Sequence, residues 1–161
     1  FAHALRLAPG DPEVMNSYGW FLCSVGKEQA GLELLTTAAR NPYYQSPARA
    51  LTNAGLCHLR LKNDRAAEEQ FLRSVDADRT NVQAIYHLAA ITYRRGAYEA
   101  SKRYIAALHE GGEPTAESLW LGIRVERRLG DRAAEAALVQ QLRRRFPTSP
   151  EYQAFLQGQY Q

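Results

Sequence analysis

The stretch Asn16-Ser17-Tyr18-Gly19-Trp20 has two later counterparts, Asn53-Ala54-Gly55-Leu56 and His87-Leu88-Ala89-Ala90. The stretches recur at intervals of about 34 residues, and each carries a small residue at the matching place. Each indicates the first helix of a unit, and a second helical segment follows, as at 67–74. A helix pair of this length cannot bury its apolar face alone, so we expect the units to stack on one another.

This pattern predicts an all-α fold, a right-handed superhelix of tetratricopeptide repeats that ends in a C-terminal capping helix. In such repeats a small residue lies where the first helix crosses the second, because a larger side chain would hold the backbones apart. The small positions here are Gly19, Gly55, Ala89 and Gly122. Three further glycines are expected to end first helices in the left-handed conformation, namely Gly26, Gly96 and Gly130.

We predict one domain over residues 1–161. Residues 1–10 fit the second half of a repeat, so the chain is expected to begin inside one. The complete repeats are predicted at 12–42, 47–81, 82–112 and 114–147. Residues 149–158 are predicted to form the capping helix, because Ser149-Pro150-Glu151 is a typical helix start.

The charge balance argues against a nucleic-acid partner. The chain has 20 Lys and Arg against 17 Asp and Glu, a net charge of only +3. Its arginine clusters at 94–95, 127–128 and 143–145 each end a predicted helix. Positive charge is favoured there by the helix macrodipole, so the clusters have a structural explanation.

No arrangement of residues predicts catalysis, a cofactor or a metal site. The four histidines show no metal-ligand spacing. They are His3, His58, His87 and His109. Gly111-Gly112 lacks the Lys-Ser that would follow in a phosphate-binding loop, and no nucleophile can be placed beside a base. No apolar run is long enough to span a bilayer. We therefore expect a protein that is not an enzyme.

Cys23 and Cys57 allow two interpretations. Buried cysteines often act as small apolar residues, whereas in an exported protein they can pair. Cys23 follows Gly19 by four positions and Cys57 follows Gly55 by two, so the side chains can face each other from neighbouring helices. The spacing leaves both interpretations open.

The predicted binding surface is the concave wall built from first helices, whose groove positions lie about three to four residues apart. These positions are Asn16, Trp20, Thr52, Leu56, Leu59, Tyr86, Ala90 and Tyr93. The set is mainly apolar and aromatic, which suits an apolar peptide or an amphipathic helix. For Trp20 the alternative is a core position covered by the neighbouring repeat.

Four segments together resemble the pilotin family of type IV pilus biogenesis, the PilF/PilW tetratricopeptide lipoproteins. They are Asn16-Ser-Tyr-Gly-Trp-Phe-Leu-Cys23, Asn41-Pro-Tyr-Tyr44, Thr52-Asn-Ala-Gly-Leu-Cys57 and Ala67-Glu-Glu-Gln-Phe71. The resemblance covers nearly the whole chain. The two segments that end in cysteine are the specific part of the resemblance. A general repeat requires neither the cysteines nor the aromatic residues Tyr18, Trp20 and Phe21 of the first segment.

The resemblance implies an exported protein, lipidated at an N-terminal cysteine and held at the periplasmic face of the outer membrane. There it would help the secretin, the ring through which the pilus passes, to localise and assemble. The lipidated cysteine has no counterpart in this chain, so the anchor is inferred from the family alone. The implied periplasmic setting favours a Cys23–Cys57 disulfide.

An alternative is a tetratricopeptide adaptor or co-chaperone that binds a peptide of another partner. Carboxylate-binding clamps combine groove asparagines with lysine or arginine in the middle of first helices. Asn16 and Asn53 are present, but Arg94 and Arg95 lie at a helix end. The clamp is therefore disfavoured.

Overall fold

In a computed structural model that describes all 161 residues, the chain consists of helices and connecting loops, with no strand. The helices are α1 Ala2–Leu7, α2 Pro12–Ser24, α3 Glu28–Arg40, α4 Pro47–Arg60, α5 Asp64–Ala77, α6 Val82–Arg94, α7 Tyr98–Gly111, α8 Ala116–Leu129, α9 Arg132–Arg145 and α10 Pro150–Leu156. The all-helical prediction is confirmed. None of these helices combines the length and apolarity needed to cross a membrane.

Each predicted repeat contains one helix pair: α2 and α3, α4 and α5, α6 and α7, α8 and α9. The chain divides into two compact units, Phe1–Ala84 and Ile85–Gln161, which we call unit 1 and unit 2. The single domain over 1–161 stays a prediction.

In unit 1, glycine lets paired helices approach closely. A Cβ atom on Gly31 of α3 would lie 2.5 Å from the carbonyl oxygen of Gly19 on α2. One on Gly55 of α4 would lie 2.5 Å from the ring of Phe71, which α5 buries completely. Any side chain at these crossings would have to displace the backbone at Gly19 or the ring of Phe71.

A polar network joins α4, α5 and the start of α6 inside unit 1. The Thr52 and Ser74 hydroxyls are 2.7 Å apart, and Ser74 donates to the Ala48 carbonyl. The Asn81 amide donates to Thr52 Oγ1 at 2.7 Å and to Ser74 Oγ at 3.0 Å. The side-chain oxygen Oδ1 of Asn81 accepts from the Ala84 N–H in the first turn of α6. The buried hydroxyls of Thr52 and Ser74 are thereby satisfied within the unit.

Unit 2 is organised around α8, whose buried side chains include Leu119, Ile123 and Val125. The capping helix α10 begins where it was predicted, with Ser149 accepting from the Tyr152 N–H and Pro150 in the first turn. It packs on α8 through Phe155, whose ring meets Trp120 edge-on at 6.4 Å.

Each of the three glycines predicted to end a first helix in the left-handed conformation does so. Gly26, Gly96 and Gly130 have φ angles of +89°, +86° and +79°. At the end of α4 the same left-handed conformation falls on Lys62, with φ +58°. Glycine adopts such angles freely, whereas a side chain makes them costly.

Candidate partner-binding site

A disulfide joins α2 to α4 in unit 1. The sulfurs of Cys23 and Cys57 are 2.04 Å apart, their Cα atoms are separated by 5.7 Å, and both residues are fully buried. Leu35 and Ala54 complete the buried cluster around them. Trp20 packs against this cluster while keeping part of its surface exposed.

Two residues of the predicted groove belong to the interior. Asn16 is 2% exposed and Thr52 is 4% exposed. The Asn53 amide donates to Asn16 Oδ1 at 2.9 Å, and Thr52 belongs to the network with Ser74. Neighbouring helices therefore supply hydrogen-bond partners to both side chains, and Thr52 also lines an open cavity of about 420 Å³ together with Asn53 and Asn81. Little of either side chain is exposed, and a role for Asn16 and Thr52 in partner binding stays a prediction.

The other unit 1 groove residues stay at the surface. Leu56 and Leu59 on α4 are partly exposed, like Trp20 on α2. Phe21 and Val25 add further apolar surface to α2, with 42% and 52% of their area exposed. Unit 1 therefore presents apolar side chains from both of its complete first helices.

In unit 2, Tyr86, Ala90 and Tyr93 of α6 pack against a buried cluster that includes Leu121 and Val125 of α8. Burial is the main cause that raises the pKa of Tyr86, and the Glu117 carboxylate adds to it. These three residues are partly exposed.

An arginine and aromatic cluster in unit 2 was missed by the sequence reasoning. The Arg124 guanidinium carbon lies 5.3 Å from the centre of the Tyr93 ring and 5.2 Å from that of Trp120. The Arg127 guanidinium carbon lies 3.9 Å from the centre of the Tyr160 ring. Burial lowers the pKa of Arg124, although guanidinium remains charged in proteins.

Part of this cluster had a signal in the sequence. Trp120 and Arg124 are four residues apart, the spacing that places two side chains on one helical face. The predicted groove stopped at α6 and did not continue to α8. Tyr160 had no such signal, because it reaches the cluster through a backbone reversal after α10.

Three of the four histidines are partly buried, namely His58, His87 and His109. His109 Nε2 and Ser118 Oγ are 3.0 Å apart, which links the end of α7 to the first turn of α8. Burial lowers the pKa of His58, His87 and His109, and the charge of Arg94 adds to the effect at His87. No group of three or more His, Cys, Asp or Glu side chains is arranged to hold a metal ion.

No protein-family model matches the chain. It is 30% identical over 155 residues to the type IV pilus assembly protein PilF of Pseudomonas aeruginosa, a match that covers 96% of this chain. The solved structure of Pseudomonas aeruginosa PilF superposes with a TM-score of 0.85, at 30% identity, over 96% of this chain and 70% of that one. The chain belongs to the PilF/PilW family of type IV pilus tetratricopeptide proteins.

The crystal structure of PilW, described as a widely conserved type IV pilus biogenesis factor, supports this membership with a TM-score of 0.84 and 29% identity. That match covers 95% of this chain and 70% of PilW. A tetratricopeptide repeat protein from Parabacteroides merdae, 15% identical, matches with a TM-score of 0.80 over 88% of this chain and 56% of its own, and shows the fold alone. The tetratricopeptide and family predictions are confirmed. This family member spans 62% of the length of the curated PilF.

Proposed function

We propose that this PilF/PilW family member is a non-enzymatic scaffold, a pilotin, that binds the outer-membrane secretin of a type IV pilus and aids its localisation and assembly. The observation that carries the proposal is the superposition on PilF over 96% of the chain. Because so much of the chain is shared with a type IV pilus assembly protein, a role in the same machinery is the simplest explanation.

We place the protein at the periplasmic face of the outer membrane, attached through an N-terminal lipid outside this chain. The Cys23–Cys57 disulfide supports an exported protein, since such bonds persist in the oxidising periplasm. The lipid anchor rests on the family resemblance.

Each unit has its own proposed partner surface, made of the groove residues that keep exposed area. They are Trp20, Leu56 and Leu59 in unit 1 and Tyr86, Ala90 and Tyr93 in unit 2. An apolar peptide or the apolar face of an amphipathic helix fits such side chains. Nucleic acid is not a proposed partner.

The contact between two asparagines disfavours a carboxylate clamp. Asn53 donates its amide to Asn16 Oδ1 at 2.9 Å, and Asn16 is 2% exposed. Asn16 would have to leave the core to hold a peptide, and its bond to Asn53 would break with that movement. The adaptor or co-chaperone alternative therefore lacks a ready binding site of this kind.

The test is binding and complementation with the secretin of the same organism. Trp20→Ala and Leu56→Ala should each weaken capture of the purified secretin by about tenfold, because each removes apolar area at the proposed surface. In a strain lacking the gene, the same variants should lower the amount of secretin recovered in the outer membrane.

Leu72→Ala is the matched control, since Leu72 is an apolar residue 42% exposed on a second helix, α5. Circular dichroism melting must show that each variant is folded. If both groove variants hold the secretin as tightly as Leu72→Ala does, the surface is misplaced. If the unaltered chain does not capture the secretin at all, the pilotin role is wrong.

A further inference from the structure

The α6 and α8 surface of unit 2 is partly covered by the chain's own last residues. After α10 ends at Leu156, Gly158 takes a φ of +70°, and its N–H donates to the Phe155 carbonyl. The Gln159 N–H donates to the Ala154 carbonyl at 2.9 Å. The reversal directs residues 159–161 back across α8.

Two side chains of the helices hold the backbone of this segment. Tyr93 Oη on α6 donates to the Tyr160 carbonyl at 3.3 Å. Arg124 Nη1 on α8 donates to the main-chain oxygen of Gln161, the last residue of the given sequence, at 3.2 Å. Every peptide offers carbonyl oxygens, so these two donors would accept an extended segment of almost any sequence.

The side chain of Tyr160 supplies the selective contact. Its ring centre lies 5.6 Å from that of Trp120 and meets the Phe155 ring edge-on at 6.4 Å. The Arg127 guanidinium covers the ring at 3.9 Å. Aromatic pairs and cation–π contacts of this kind favour an aromatic side chain over an aliphatic one.

The groups that contact the segment are themselves held in place. Arg124 lies over the rings of Tyr93 and Trp120, and Arg127 pairs with Glu135 at 3.3 Å. Beside Tyr160 an open cavity of about 590 Å³ continues between α9 and α10, lined by Val139, Arg143 and Phe155 among others. A longer segment than residues 159–161 would therefore have room to extend.

We propose that this surface is a peptide-binding site for an extended segment of a partner protein that carries an aromatic residue, and that residues 159–161 fill it in the unbound protein. It shares Tyr93 with the apolar groove proposed above, but its chemistry is distinct: it holds two main-chain oxygens and one aromatic ring. The tethered segment has a high effective concentration, so it competes with any partner segment and is displaced on binding.

The experiment uses a synthetic peptide as the probe, so its outcome is independent of the secretin. The peptide is Leu-Gln-Gly-Gln-Tyr-Gln, the sequence of residues 156–161, with an amidated C-terminus. It is titrated into the ¹⁵N-labelled full chain while the indole N–H signals of the two tryptophans are followed. Trp120 should respond, and Trp20 is the internal reference.

Tyr160→Ala should bind this peptide at least about tenfold more tightly than the unaltered chain, because the tethered competitor loses its ring. Gly158→Val should do the same, since a β-branched residue disfavours the φ of +70° that brings the segment back. Replacing the peptide tyrosine by alanine should weaken binding by about tenfold. Tyr43→Ala, at a tyrosine 89% exposed in unit 1, is the matched control and should behave as the unaltered chain.

If folded Tyr160→Ala and Gly158→Val both bind no better than Tyr43→Ala, the inference is overturned. Equal binding of the tyrosine and alanine peptides would overturn it as well. Dimerisation of the unaltered chain that Tyr160→Ala abolishes would also overturn the inference. The natural occupant of the site would then be a second copy of the chain.

Discussion

Gly55 shows how a single missing side chain permits a helix crossing. A Cβ atom there would lie 2.5 Å from Cε1 of Phe71, and Phe71 is fully buried. We expect Gly55→Leu to lower the free energy of unfolding by about 1–3 kcal/mol, as overpacking does. Urea denaturation measures this change.

Gly10→Leu is the control, because nothing lies within 4 Å of a Cβ atom at Gly10. Its effect should stay within about 0.5 kcal/mol, as for most surface substitutions. Equal stability of the two variants would mean that α4 and α5 separate without cost.

Lys62 stands where other repeats have glycine, and its φ of +58° carries a steric cost. We expect Lys62→Gly to raise the free energy of unfolding by about 1 kcal/mol, the relief of strain outweighing the entropy of the added glycine. Thermal melting of the purified variant measures the gain.

The same substitution at Lys27 is the control, because its φ of −108° suits any residue. Lys27→Gly should lose about 0.5–1 kcal/mol through backbone entropy alone. A Lys62→Gly variant that loses as much as Lys27→Gly would contradict the strain argument.

The helices α2 and α4 are joined by the Cys23–Cys57 bond, which closes a loop with a sequence separation of 34. The chain-entropy model gives a stabilisation of about 3–4 kcal/mol for a loop of this length. We expect Cys23→Ala/Cys57→Ala to be less stable than the oxidised protein by an amount of this order, measured by urea denaturation.

Thiol titration of unfolded, unreduced protein from the periplasm should find no free thiol. The reduced chain serves as the positive control, and both cysteines should then react. Two free thiols in the periplasmic protein would reject the bond, and equal stability of the oxidised protein and the double variant would reject its contribution.

The whole chain should lose stability in mildly acidic solution. Burial lowers the pKa of His58, His87 and His109, so these side chains bind protons more readily after unfolding. Their contribution is fully present above the unfolded pKa of about 6.5 and is lost as pH falls below it. Each histidine can add a slope of up to about 1.4 kcal/mol per pH unit.

Urea denaturation near pH 7.5 and pH 5.5 measures this loss; these values are chosen from the ordinary histidine pKa of about 6.5. His109→Gln should flatten the pH dependence, whereas His3→Gln alters an exposed residue and serves as the substitution control. Asp78, whose pKa is lowered by hydrogen bonds from Thr80, loses its contribution only below about pH 4, outside this window. Equal stability of the unaltered protein at both pH values would contradict the prediction.

The fold was accessible from the sequence because its signals are local. The repeat period, the glycines that permit helix crossings and the glycines that end first helices each depend on residues within one helix pair. Gly19, Gly55 and Gly130 therefore predicted their structural roles correctly. Even the exception at Lys62 keeps the same backbone conformation, since the neighbouring helices require the turn.

The binding surfaces depend on contacts that sequence spacing does not encode. Asn16 and Thr52 have the spacing of groove residues, yet their side chains are buried and form hydrogen bonds with Asn53 and Ser74. Tyr160 meets Tyr93 across a separation of 67 residues. The sequence by itself determined the helices, their pairing and the family, because periodicity and backbone preference act over a few turns. Only the tertiary structure decided which polar residues are buried and which segment covers α8, because burial depends on every element that packs nearby.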